Sequence, residues 1–180
     1  MNDTTDTGGI SRRRLLTFGL LGGVVLATAG GIASLSGAFS STPAAGFQQL
    51  RESDLPLLRS LIPVILDGAL PAAAPQAAVE VMLHGLDNSL HHLSPSMLKQ
   101  SLQLFDLLSM DITRGPATGV WRSWESASRE DIQGFLQRWQ HSRLALFRQG
   151  HAALQQAVLL VWYSLPASWG RCGYPGPPRL

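Results

Sequence analysis

Charge is scarce in this 180-residue chain, at 14% of residues, against about 25% in ordinary globular domains. Lys99 is its only lysine, and the formal net charge is +2. That excess has no basic stripe behind it, which excludes a nucleic-acid binder. Cys172 is the only cysteine, so an internal disulfide framework and a multi-cysteine metal site are both excluded. Catalytic signatures are missing too. No serine sits in a Gly-x-Ser-x-Gly turn, the paired glycines form no phosphate loop, and there is no Cys-x-x-Cys. Cys172 has no local activating neighbour beyond Arg171, which argues against a nucleophile. Paired carboxylates are few. Glu52, Asp54, Glu130 and Asp131 read as helix-start residues, and adjacent helical positions cannot face each other. Asp106 and Asp111 suit a solvated side of their helix. The residues therefore predict no catalytic centre, bound cofactor or metal.

What the chain does have is apolar residues, 45% of the total, enough to exclude intrinsic disorder. They concentrate at one end. Residues 15–39 are 25 positions without a charge, preceded by Ser11-Arg12-Arg13-Arg14-Leu15-Leu16. This resembles a twin-arginine translocation signal, with Ser11, Arg12, Arg13, Leu15 and Leu16 on the motif. Leu15 stands where phenylalanine is usual and Thr17 where lysine is usual. Six glycines within the run keep its hydrophobicity modest, as such signals require. The alternative is an ordinary positive segment before a membrane helix. The run is long enough to cross a hydrocarbon core of ~30 Å, so residues 15–39 would anchor the chain in the inner membrane if uncleaved. The best cleavage candidates, around Ser36-Gly37-Ala38 and Thr42-Pro43-Ala44, are not clean. In either case the arginines stay cytoplasmic and the remainder is exported to the periplasm. Without residues 1–39 the chain carries 11 basic and 10 acidic residues, close to neutrality.

The periodicity beyond the signal predicts an all-α domain of about five helices over residues 47–164. It lies between a flexible linker at 40–46 and an extended Pro/Gly/aromatic arm at 165–180. Ser53-Asp54 can cap a first helix with Pro56 in its first turn. Leu55, Leu58, Ile62 and Ile65 line one face of it, and Pro63 should kink or shorten it. A second helix spans 76–93 with Val79, Leu83, Leu86 and Leu90 inward. A third starts at Ser94-Pro95 with Leu98, Leu102, Phe105 and Leu108 inward. Residues 113–119 read as a loop rich in helix breakers. A fourth helix begins near Ser128, with Ile132, Phe135, Leu136 and Trp139 inside. The last runs over 144–164, with Leu154, Val158 and Val161 inside and Gly150 as a hinge. The tail, with four prolines and three glycines, reads as an arm.

Two groups of residues invite a binding role. His84, His91 and His92 are spaced more loosely than the i, i+3 or i+4 pattern that metal sites on helices use. The pair at 91–92 reads more simply as a polar helix end. His141 and His151 read as solvent- or partner-facing. The more suggestive group is aromatic. Trp121, Trp124, Tyr163, Trp169 and Tyr174 lie in or beside loops and the tail, where large side chains anchor interfaces. Trp124, like Trp139 and Trp162, also suits the core. Pro175 and Cys172 share the tail with Trp169 and Tyr174. An unpaired cysteine in an exported protein invites an intermolecular disulfide, with a buried or free thiol as the alternative.

The run Val161-Trp162-Tyr163-Ser164-Leu165-Pro166-Ala167-Ser168-Trp169, followed by Gly173-Tyr174-Pro175-Gly176-Pro177, resembles the closing signature of the gluconate 2-dehydrogenase subunit 3 family. The twin-arginine-like start agrees with that family, as do residues 55–65, the Gly119-Val120-Trp121 step and the stretch from Trp139 to Phe147. Asp67-Gly68-Ala69-Leu70-Pro71 and the middle segments depart from it, which points to a related dehydrogenase as partner. The resemblance implies a small, helical, non-catalytic subunit that accompanies a large FAD-dependent dehydrogenase of the GMC type, often with a cytochrome c subunit. FAD would then belong to the partner and not to this chain. It also implies a division of labour. The twin-arginine translocase carries folded cargo, and the flavoprotein would travel on the small subunit's signal. A different reading, from the histidines alone, is a stand-alone membrane-anchored periplasmic protein that binds a metal or small ligand.

Overall fold

The computed structural model describes residues 42–176. The export-signal positions Ser11, Arg12, Arg13, Leu15 and Leu16 lie outside the described residues, as does the whole 15–39 run. Among the described residues the fold is all-helical. Seven α-helices occur with one short 3-10 turn and no strand: α1 Leu55–Ile65, α2 Pro75–His91, α3 Pro95–Ser109, α4 Asp111–Thr118, the turn Trp124–Ser126, α5 Arg129–Gln140, α6 Ala145–Ser164 and α7 Pro166–Cys172. None of these helices is long and apolar enough to cross a membrane.

The apolar stripes that predicted the helices form the core. On α1 the buried set is Leu55, Leu57, Leu58, Leu61 and Ile62, broader than a single stripe because α1 packs against both α2 and α5. Ile65 is only half-buried, and the helix ends there, two residues past Pro63. Pro63 has no N–H to give the Arg59 carbonyl four residues back, which fits the helix stopping just beyond it. Ser94 caps α3 by accepting from the Met97 N–H. Ser128 and Asp131 form a reciprocal capping box on α5, satisfying two otherwise orphaned donors. The four inward residues of α5, Ile132, Phe135, Leu136 and Trp139, are all buried.

Three segments differ from their sequence reading. The 40–46 linker, as far as it is described, is not loose: Ala44 is buried and its N–H donates to the Leu50 carbonyl at 2.8 Å. Residues 113–119 are largely helical, in α4, with Pro116 inside and Gly119 closing the helix at φ 73°. The reason is tertiary. Trp139 Nε1 donates to the Ala117 carbonyl at 2.8 Å and Arg138 donates to that of Thr118, so α5 satisfies the end that α4 cannot. The tail is not an extended arm over 166–172 but the helix α7, with Pro166 in its first turn and Gly173 ending it at φ 66°. These last two segments raise the count from about five to seven. Gly150 is no hinge, since α6 runs unbroken through it. It is a contact point, where a Cβ would collide with the Trp139 ring.

Candidate interaction surface

The aromatic residues singled out above separate into three situations. Trp124 is core: 3% exposed, it donates from Nε1 to the Leu108 carbonyl at 2.9 Å and packs against Phe135 with ring centroids 5.9 Å apart. Its partner-binding assignment is therefore corrected. The loop position that suggested exposure is folded inward because the indole finds both an apolar bed and an acceptor there. Trp121, in contrast, is 76% exposed and lies over Gly115 of α4, where the missing side chain makes room for its ring.

Tyr163, Trp169 and Tyr174 come together at the far end of α6. The helix α7 folds back so that Trp169 Nε1 donates to the Tyr163 carbonyl at 3.1 Å. Tyr174 meets the Trp169 ring edge-on at 5.5 Å, held there by its N–H on the Trp169 carbonyl. Tyr163 and Tyr174 are 56% and 49% exposed, and Pro175 is exposed beside them. The fold thus sets a Trp169–Tyr174 ring pair against the backbone of the exposed Tyr163, with Trp121 in the loop that follows α4. The side chain of Cys172 lies outside the described residues.

Of the three histidines, His84 lies apart from the other two, and the rings of His91 and His92 meet edge-on at 5.4 Å. His84 stacks on Phe47 at 4.7 Å, His91 Nδ1 lies 3.4 Å from Gln49 Nε2, and His92 Nδ1 lies 2.7 Å from the Asn88 carbonyl. Among the described residues no three His, Cys, Asp or Glu side chains converge as metal ligands would. His151 is buried, not solvent- or partner-facing. Burial first, and the His141 charge second, hold its imidazole below the ordinary range. A shallow open groove of about 490 Å³ runs beside α1, lined among others by Pro56, Arg59, Pro63, Trp124 and Arg129. Both arginines are tied down, Arg59 to Glu80 at 2.8 Å and Arg129 to Asp67.

The sequence reading missed a buried polar cluster that pins the segment leading into α1. Asp87 of α2 accepts the backbone N–H groups of Gln48, Gln49 and Leu50, each at 2.8 Å. Asp54 makes no side-chain cap for α1; its carboxylate takes the Arg51 N–H, Nε and Nη2, each at 2.9 Å. Arg51 Nη2 also meets Asp106 Oδ1 at 2.6 Å. Asp106 was expected on a solvated side but is buried, because α3 turns it toward that guanidinium. Burial pushes its carboxyl above the ordinary range, against the opposing pull of Arg51. No local signal distinguishes Asp87 or Asp106 from a surface carboxylate, since their partners lie 37 or more residues away. Compared with family models, with curated proteins and with solved structures, the chain matches none.

Proposed function

We propose that this chain is a non-catalytic small subunit that binds, helps export and stabilises a flavin-dependent (GMC-type) dehydrogenase of sugars, sugar acids or alcohols in the periplasm. The observation that carries this reading is the aromatic end of the fold, where the Trp169–Tyr174 ring pair is tied to the backbone of Tyr163. Two large rings stand about half exposed there in a backbone held by specific hydrogen bonds. The prearranged Trp169–Tyr174 pair suits a docking surface, because less conformational freedom is lost on binding. Trp121 adds a second exposed anchor.

In this reading Ser11, Arg12, Arg13, Leu15 and Leu16 address the twin-arginine translocase, and the bound flavoprotein crosses with the small subunit. FAD sits in the partner, and a cytochrome c subunit receives electrons where one is present. The 15–39 run tethers the complex to the inner membrane if it is retained. The test is isolation of the complex from the native host under mild conditions. The expected product is this chain with a large protein showing flavin absorbance in about equimolar amount. Recovery of the chain alone, or with stoichiometric bound metal on elemental analysis, would count against the escort role.

A further inference from the structure

The outward side of α6 carries an anomaly. Leu146, Gln149, Ala153, Gln156, Leu160 and Tyr163 recur at steps of three and four, so they share one helical face, and all are exposed. Leu160 is 66% exposed. From Gln149 to Ser164 the helix contains no Asp, Glu, Lys or Arg at all. Helices facing water normally carry charged residues on that side. The opposite side of α6 is already used, with Gly150, Leu154, Val158, Val161 and Trp162 buried.

Charge is distributed unevenly around this face. No acidic residue occurs after Asp131, while Arg143 and Arg148 are exposed at the amino-terminal end of α6. Arg148 is held in place by donating to the carbonyls of Ser142 and Arg143, at 2.7 and 3.0 Å. The surface is thus an uncharged strip of mixed apolar and amide side chains with a cationic end and an aromatic end.

We infer that this face of α6 is the central docking strip for the flavoprotein, seated against a partner surface that is apolar opposite Ala153 and Leu160 and acidic opposite Arg143 and Arg148. The inference rests on the escort reading and adds to it the surface used and the chemistry of the partner's. Two considerations select this occupant. A second copy of the chain would bring an acid-free surface against another, with nothing to balance the arginines. A lipid surface calls for bulky apolar residues on the inserted side, whereas the middle of this strip is Gln149, Ala153 and Gln156, whose amides find hydrogen-bond partners on a protein and none in hydrocarbon. The strip, ~30 Å long and ~10 Å wide from helix geometry, is about 300 Å², below the ~800 Å² per partner of a stable interface. The cluster of Tyr163 and Tyr174 extends it at the carboxyl-terminal end.

The test uses the full chain, tagged and expressed in its native host, with retained flavoprotein measured by flavin absorbance. Ala153→Glu places a charge in the middle of the strip without disfavouring the helix, and retention should fall at least about tenfold, as for a charge buried unpaired at an interface. Ala77→Glu, an exposed site on α2, is the matched control and should leave it unchanged. Arg143→Glu should weaken retention at low salt and have little effect at high salt, where surface charges are screened. Retention of flavoprotein by Ala153→Glu at the wild-type level overturns the strip while leaving the escort role standing. Failure of the wild-type chain to retain any flavoprotein overturns both. The strip is equally overturned if the isolated chain forms a dimer, or binds vesicles of phosphatidylglycerol, in a way that Ala153→Glu abolishes. Hydroxyl-radical footprinting gives the last outcome: protection of Leu160 and Tyr163 in the isolated monomer would mean that the chain covers the strip itself.

Discussion

Asp87 shows how one residue can organise a segment it does not belong to. Its carboxylate gathers three consecutive backbone donors at 2.8 Å while itself buried. Asp87→Ala would strand those donors, at about 1–3 kcal/mol for each one that water fails to reach. The expected loss is about 2–4 kcal/mol in urea unfolding, with Asp87→Asn intermediate. Asp106 makes a prediction of different kind. Burial raises its folded carboxyl pKa above the ordinary value near 3.8. Between those two values the folded state holds a proton that the unfolded state has released, so this group's contribution to stability falls as pH rises. Asp106→Asn removes that dependence and leaves the other carboxylates in place. The melting temperature of the wild type relative to Asp106→Asn should therefore increase as the pH is lowered from 7 toward 4. A constant difference would show that Arg51 fully offsets the burial.

Among the elements, α1, α2, α3, α5 and α6 were legible because each carries its own apolar period, and α1, α3 and α5 carry a start signal as well. The proline after Ser94 and the Ser128-x-x-Asp131 box are local marks of a helix start. Helices α4 and α7 were not legible, because both lie in stretches whose glycines and prolines argue for irregular chain. What holds α4 is donated from α5 by Trp139 and Arg138. Trp139→Phe removes the Nε1 donor together with part of an indole that is buried against Phe135 and Phe147, so it should cost about 2–3 kcal/mol, measured by urea unfolding. Gly150 sets two effects against each other. Alanine there gains about 1 kcal/mol of helix propensity but drives a methyl into the Trp139 ring, and overpacking of that sort costs about 1–3 kcal/mol. The clash should win, and Gly150→Ala should melt below the wild type. A higher melting temperature would mean that the indole moves aside easily.

For the molecule as a whole, the α6 strip ends at Tyr163, where α7 folds back against it, so on the escort reading proposed above the docking face and the core share α6. Removing residues 165–180 takes away Trp169 and Tyr174 and uncovers the end of α6. Partner retention and partner export should both fall sharply, assayed by flavin in the periplasmic fraction. Export unchanged by that truncation would contradict a docking role for the tail. The sequence by itself determined that the domain is helical and where its main helices start. It also marked the tail and its aromatic residues as unusual, since period, caps and composition are local properties that a chain carries unfolded. Only the tertiary structure decided that Trp124 belongs to the core and that Asp87, Asp54 and Asp106 are buried. It also decided that residues 113–119 and 166–172 coil into helices and that α6 keeps a charge-free side to solvent. Each of these depends on a donor, an acceptor or a packing surface brought from far along the chain. A polar group's burial is settled by whether such a partner arrives, and no local pattern records that.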